Sequence, residues 1–216
     1  MRELRLSPVL DVGCATGMLA HLVKDAGLTL DGVEVNSAWA DVARPNYRNV
    51  WTSFVEDAPL PDGEYKLVVC GDILEHTPDP VAVLKRLKQA SAPDARYIIS
   101  VPNIAHLAVR LMLLAGRFPK MERGPLDRTH LQFFTKDTAR DMVEAAGLEI
   151  VRTTTTGLPL DEVWKSGVGT APQKVAAKAQ HLMLNLAPRL FGYQWLMLCK
   201  NADTAGAPSV NGNGKH

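Results

Sequence analysis

The run Val9-Leu-Asp-Val-Gly-Cys-Ala-Thr-Gly17 constrains the chain more than any other stretch. Its first four residues are apolar around a single Asp, the pattern of a strand buried on both faces. Two glycines follow, leading into a segment from Thr16 to Ala26 with apolar residues at helical spacing. Strand, glycine turn and helix in that order open a βαβ unit. In such a turn the backbone passes close to a ligand, and a side chain would obstruct it. The start of the helix then favours a ligand's carboxylate.

The alternation continues along the chain. Strands are expected at Leu30 to Val35, around Val50, at Tyr65 to Cys70, Arg96 to Val101, Leu148 to Thr156 and Tyr193 to Cys199. Helices are expected at Ser37 to Ala43, from Asp79-Pro80 to Ala90, and at His106 to Ala115, Lys136 to Ala146 and Val175 to Leu186. Asp79 suits a helix cap, Pro80 a first turn and Gly147 a helix stop. This pattern predicts an α/β, Rossmann-like, doubly wound and mostly parallel sheet of about seven strands, the last of them antiparallel. Gly116 to Thr129 has no periodicity and reads as a lid on the substrate side.

With 216 residues, 46% of them hydrophobic, one domain over residues 1–200 is expected, followed by a flexible tail at 201–216 that is poor in apolar side chains. A net charge of +1 supplies no field that would draw in nucleic acid. Cys14, Cys70 and Cys199 are scattered without CxxC spacing, which argues against disulfides and structural zinc and fits a cytoplasmic protein. No apolar run reaches the length of a membrane span.

The glycine spacing is GxxxG rather than the GxGxxG of dinucleotide folds, and Asp11 leads it. In these residues the chain resembles the class I S-adenosylmethionine (SAM)-dependent methyltransferases. The resemblance implies that Asp11 and the loop from Gly13 through Cys14 to Gly17 hold the methionine part of SAM. Glu34, with Val35 beside it, stands where that family grips both ribose hydroxyls, about 20 residues past the first glycine, and a carboxylate has the acceptors to do so. In Phe54-Val-Glu-Asp-Ala-Pro-Leu-Pro-Asp-Gly63, Phe54 occupies a place where Asp is common, leaving Val55 and Glu56 beside the adenine. Ala15 replaces a frequent Gly, and Gly71 closes the cofactor set.

Two further segments carry the chemistry. Gly71-Asp-Ile-Leu-Glu-His-Thr-Pro-Asp-Pro80 resembles the D/E-x-x-E-H stretch of ubiquinone-pathway O-methyltransferases, and a helical turn there would put Asp72, Glu75 and His76 on one face. Gly124-Pro-Leu-Asp-Arg-Thr-His-Leu-Gln-Phe-Phe-Thr135 resembles a segment found in bacterial methyltransferases that accompany sugar-modifying enzymes. His130 within it is the natural partner of His76. Three readings stay open. The histidines act as general bases on an acceptor hydroxyl; or Asp72, Glu75, His76 and His130 hold a divalent metal, as in the similar small-RNA 2′-O-methyltransferases; or both rings are structural.

The implied activity is O-methylation of a small hydroxylated acceptor, sugars among the candidates. Transfer to nitrogen or carbon, and a non-catalytic SAM-binding module, are the alternatives. An NAD-linked oxidoreductase would need the other glycine spacing. His106 reads as a surface or structural residue with a lesser claim on the acceptor pocket, and His21 and His181 as helix surface. Leu182, Met183 and Leu186 read as core-facing, with a partner or lipid surface as the lesser reading. Trp164 reads as buried, or else as a substrate contact.

Overall fold

Parallel strands covered by helices on both faces lose both faces to the interior, and β1 (Val9–Val12) and β2 (Leu30–Val33) are buried at every position, the carboxylates of Asp11 and Asp31 included. The structure, a computed structural model, describes residues 6–158 and 171–202. Its other strands are β3 (Asn49–Trp51), β4 (Tyr65–Gly71), β5 (Ser91–Pro102), β6 (Leu148–Thr156) and β7 (Gln194–Asn201). They form one seven-stranded sheet in the order β3-β2-β1-β4-β5-β7-β6. The first five are parallel, while β7 runs antiparallel between β5 and β6. The chain leaves β1 in one direction for β2 and β3 and in the other for β4 and β5. The crevice that binds ligands in such sheets therefore opens at the carboxyl end of β1, between β2 and β4.

Helices α1 (Met18–Val23) and α2 (Ser37–Ala43) cover one face, where Val9, Leu30 and Leu67 meet Ala20, Val23, Ala40 and Ala43. On the other face, α3 (Pro80–Ala90) and α5 (Lys136–Ala145) pack Leu84, Leu87, Met142 and Val143 against Leu10, Val68, Ile99 and Trp195. Between those two helices in sequence comes α4 (Leu107–Leu114); α6 (Ala171–Leu186) and α7 (Pro188–Phe191) precede β7. Caps set the helix starts. Asn36 accepts amide protons from Ala38 and Trp39, Asp79 accepts one from Ala82, and Thr135 and Thr138 form a capping box.

One buried carboxylate ties three segments together. Asp31, fully buried in β2, accepts hydrogen bonds from Arg48, Asn49 and, at 2.8 Å, the Tyr65 hydroxyl. Burial alone would raise its pKa, but the Arg48, Tyr65 and Asn49 bonds reverse that and leave it below the usual carboxylate range.

Several sequence expectations need correction. The first helix begins at Met18 rather than Thr16 because Gly17 is left-handed (φ 88°), and it tightens into a 3₁₀ turn at Lys24–Ala26. Strand β5 starts at Ser91, five residues early, and α7 was not foreseen. Strand β7 runs through Asn201, one residue into the expected tail. Leu182 and Leu186 are not core: they stand 58% and 75% exposed, and Met183 is half-exposed. Helical spacing identifies an apolar stripe but not what lies against it. Trp164, His216 and residues 203–216 of the expected tail lie outside the described residues.

Candidate active site

The turn after β1 is shaped by backbone conformation. Gly13 (φ 71°) and Gly17 (φ 88°) are both left-handed, and a Cβ on Gly13 would come within 2.9 Å of the Ile73 side chain. Ala15 between them adopts φ 46°, a costly position for a residue with a Cβ. It is held there by its N–H, which donates to Glu34 Oε2 at 2.9 Å, while the Asn36 N–H donates to Oε1 at 2.8 Å. The buried Glu34 carboxylate is thus oriented by two amides from different loops and keeps further lone pairs for a ligand.

Glu34 borders a cavity of about 190 Å³ shared with Gly13, Val35, Phe54, Val55 and Glu56. Phe54, where sequence comparison led one to expect Asp, is 64% exposed at its rim. Gly71, at the end of β4, has open space where a Cβ would project, so backbone is accessible there. Asp11 and Cys14 do not line this cavity. Asp11 is buried beneath the turn and accepts the Tyr47 hydroxyl proton at 2.5 Å; burial lifts its pKa to about 6, with the Tyr47 bond opposing. Cys14 packs onto Gly32, and burial together with Asp11 and Glu34 pushes its thiol up to about 12, which makes it inert. Tyr47, 36 residues from Asp11, was not identified from sequence.

The second cavity, about 520 Å³, is lined by Asp72, Glu75, His76, Asp127, His130 and Gln194 among others. His76 borders both cavities. Asp72 does not share a helical face with Glu75 and His76 as expected: the helical segment is a 3₁₀ turn at Leu74–His76, and Asp72 precedes it at φ 52°. Its carboxylate accepts from Ser100 Oγ at 2.8 Å and from Gln194 Nε2.

The two predicted histidines do meet. The rings of His76 and His130 lie 4.8 Å apart, edge to face. His76 Nδ1 lies 3.2 Å from Thr129 Oγ1 and 3.4 Å from the Thr129 carbonyl oxygen. Thr129 Oγ1 has one proton and gives it to Asp127 Oδ1 at 2.6 Å. Both neighbours of Nδ1 are therefore acceptors, so in the neutral ring Nδ1 carries the proton and Nε2 the lone pair. Asp127 and Thr129 belong to the segment that supplied His130, but their part in orienting His76 was not legible.

Glu75 is buried with neither carboxylate oxygen hydrogen-bonded. Burial, with Asp72 and Asp127 adding to it, raises its pKa to about 8. His130 Nε2 stands 3.9 Å from Glu75 Oε1, and burial together with nearby His76 lowers the His130 pKa. Both shifts favour the neutral forms. An orphaned buried carboxyl is costly and marks a place for a proton donor or cation. Donor atoms of Glu75, His76 and His130 all lie within 4.8 Å of one another, whereas Asp72 stays outside the group. For the metal reading, one of the three left open by the sequence, four candidate ligands contract to three.

His106 caps α4, its Nδ1 accepting from Ala108 N at 3.2 Å, and its ring packs edge-on against Tyr193. His21 and His181 are exposed on helices. A larger cavity of about 670 Å³, between α5 and β6, shares no lining residue with the two described.

Comparison with known proteins matches residues 2–153 to the family model described as a methyltransferase domain. The ubiquinone biosynthesis O-methyltransferase of Aeromonas salmonicida (strain A449) is 29% identical over 151 residues, covering 65% of this chain and 62% of that protein. Its counterpart in Thiobacillus denitrificans is 29% identical over 167 residues, covering 73% of this chain and 71% of that one. With an Actinobacillus pleuropneumoniae relative, the chain spans only 52% of the relative's length. Among solved structures, a SAM-dependent methyltransferase from Archaeoglobus fulgidus superposes with a TM-score of 0.62 at 22% identity, covering 89% of this chain and 85% of that one. One from Aquifex aeolicus reaches 0.55 at 17% identity, covering 88% and 80%. These two likenesses establish the fold.

Proposed function

The chain belongs to the methyltransferase-domain family, and on that premise we propose that it transfers a methyl group from SAM to a hydroxyl oxygen of a small acceptor. The observation that carries the reading is the contact of His76 Nδ1 with Thr129, which in the neutral ring leaves the lone pair on Nε2 of a residue bordering both cavities.

The residues present fit the cofactor. Glu34 would accept from the two ribose hydroxyls through the lone pairs its amide bonds leave free. Val35, Phe54 and Val55 would flank the adenine, with Glu56 as the acceptor for its amino group. Gly71, open where a Cβ would project, and the turn from Asp11 through Cys14 to Gly17 would hold the methionine part. When bound, SAM supplies an electrophilic methyl on its sulfonium. His76 Nε2 would take the proton of the acceptor hydroxyl as that oxygen bonds to the methyl and the methyl–sulfur bond breaks, the demethylated thioether being the leaving group, and the hydrogen bond from Nδ1–H to Thr129 would stabilise the imidazolium. His130, held neutral by burial, is the second ring beside the acceptor. The polar lining, with Asp72, Asp127 and Gln194, suits a hydroxyl-rich molecule such as a sugar. The relatives' names favour oxygen over nitrogen or carbon.

A second reading rests on the orphaned Glu75 carboxyl: Glu75, His76 and His130 hold a divalent cation that lowers the acceptor's pKa. A screen with methyl-labelled SAM against sugars, phenols and nucleotides tests both. Label transferred to a hydroxylated acceptor and insensitive to chelators supports the base; activity lost with chelator and restored by metal supports the cation. Label found only on amines or carbon, or on no acceptor, contradicts O-methylation.

A further inference from the structure

Five exposed large apolar side chains, Leu111, Leu113, Leu114, Phe118 and Met121, fall in one continuous piece of the chain. In α4 only Val109 is buried, while Leu111 and Leu114, three residues apart on one face, stand 56% and 84% exposed. The loop that follows adds exposed Phe118 and Met121, and the Phe118 ring stacks edge-on against exposed Phe133 at 5.6 Å. A helix so apolar normally lies in a core, and a patch this extended signals a binding surface.

The charges on the same piece indicate what it binds. From Leu107 to Arg123 the chain carries Arg110, Arg117, Lys120 and Arg123 against a single acid, Glu122, which is paired with Arg128 at 2.9 Å. The protein as a whole is nearly neutral, at +1, so this cationic excess is local. Apolar side chains set among uncompensated arginines and lysine are the composition of a segment that lies in the plane of an anionic lipid interface, leucine and phenylalanine in the acyl boundary and cations at the headgroups. A protein partner's apolar groove would satisfy the leucines but leave the cations without counter-charge. No helix among the described residues is long and apolar enough to cross a membrane, so the contact would be peripheral.

We infer that α4 and the loop through Arg123 dock this protein on anionic phospholipid surfaces. Arg123 and Gly124 also line the cavity that holds His76 and His130, so docking would turn the mouth of that cavity toward the bilayer. The docking itself does not depend on the proposed chemistry.

Cosedimentation of the full chain with phosphatidylcholine vesicles, with and without phosphatidylglycerol, tests it. The expected result is binding to the anionic vesicles that weakens as salt rises. Replacing Arg117 and Lys120 together by Gln should weaken partitioning roughly 30-fold, and the pair Leu111→Gln, Leu114→Gln by at least about tenfold. Because all four side chains are exposed, thermal melting by circular dichroism should stay unchanged. Absence of binding to phosphatidylglycerol vesicles at low salt would overturn the inference, as would wild-type binding by the leucine variant. A dimer in gel filtration that the leucine variant dissolves, without vesicle binding, would assign the face to self-association instead.

Discussion

The Nδ1 atom of His76 lies 3.2 Å from the hydroxyl oxygen of Thr129, whose own proton is committed to Asp127. A direction of proton donation follows from this chain of contacts, and with it the free lone pair on Nε2. Replacing Thr129 by Val should release the constraint, mix the two tautomers in the ¹⁵N spectrum of the ring, and lower turnover by roughly 10- to 100-fold, as loss of an orienting partner does elsewhere. Thr129→Ser should restore both. An unchanged ¹⁵N signature in the valine variant would show that the Thr129 hydroxyl does not set the tautomer.

Glu34 serves the ligand and its own loop together, since its two oxygens already hold the amides of Ala15 and Asn36. Calorimetry should show Glu34→Ala binding SAM or its demethylated product about 10- to 100-fold more weakly than wild type, the cost of the lost hydrogen bonds. NAD should bind neither protein. Undiminished affinity would mean that the ribose sits elsewhere.

Glu75 should leave a signature in the pH dependence of stability. Its folded pKa of about 8 lies above the ordinary 4.5, so the folded state holds the proton more tightly than the unfolded one. Stability from this group is complete below about pH 4.5 and is lost as pH rises through about 8. Glu75→Gln, which cannot ionise, should melt higher than wild type at pH 8, by a margin on the order of a few kcal/mol at most, and the margin should vanish toward pH 4.5. A margin that stays constant across that range would place the carboxyl in a more solvated setting. If a divalent metal binds, adding it should stabilise wild type but not Glu75→Gln.

Asp31 carries a structural prediction free of the chemistry. Its carboxylate collects donors from Arg48, Asn49 and Tyr65 at complete burial, so Asp31→Ala should cost about 3 kcal/mol in denaturant unfolding by stranding those partners. A loss within experimental error would show the network to be incidental.

The sheet was legible from sequence wherever local signals agreed. Helix α2 and strand β6 came out residue for residue, and Gly147, read as a helix stop and left-handed at φ 75°, punctuates the start of the strand. The start of α1 failed because a glycine placed for its conformation also excludes the residue before it from the helix. Asp72 failed for a related reason. A regular helical turn was assumed, whereas the positive φ at Asp72 and the tight turn beyond it separate the carboxylate from Glu75 and His76. The meeting of His76 and His130 was anticipated through family-like segments, yet the partners that orient the site were not. Tyr47 reaches Asp11 across 36 residues, and Thr129 reaches His76 across 53. No periodicity or local motif encodes contacts of that range. The outward apolar stripe of α6 shows the complementary limit, since a pattern reveals a face without revealing its neighbour.

The central claim is that His76 removes the acceptor proton while SAM delivers the methyl group. With the acceptor found by the labelled screen, methyl-transfer turnover should be compared between wild type and His76→Ala, with cofactor affinity measured alongside. The account predicts a fall of roughly 10²- to 10⁴-fold in turnover with cofactor affinity nearly intact. Full turnover in the variant would contradict it.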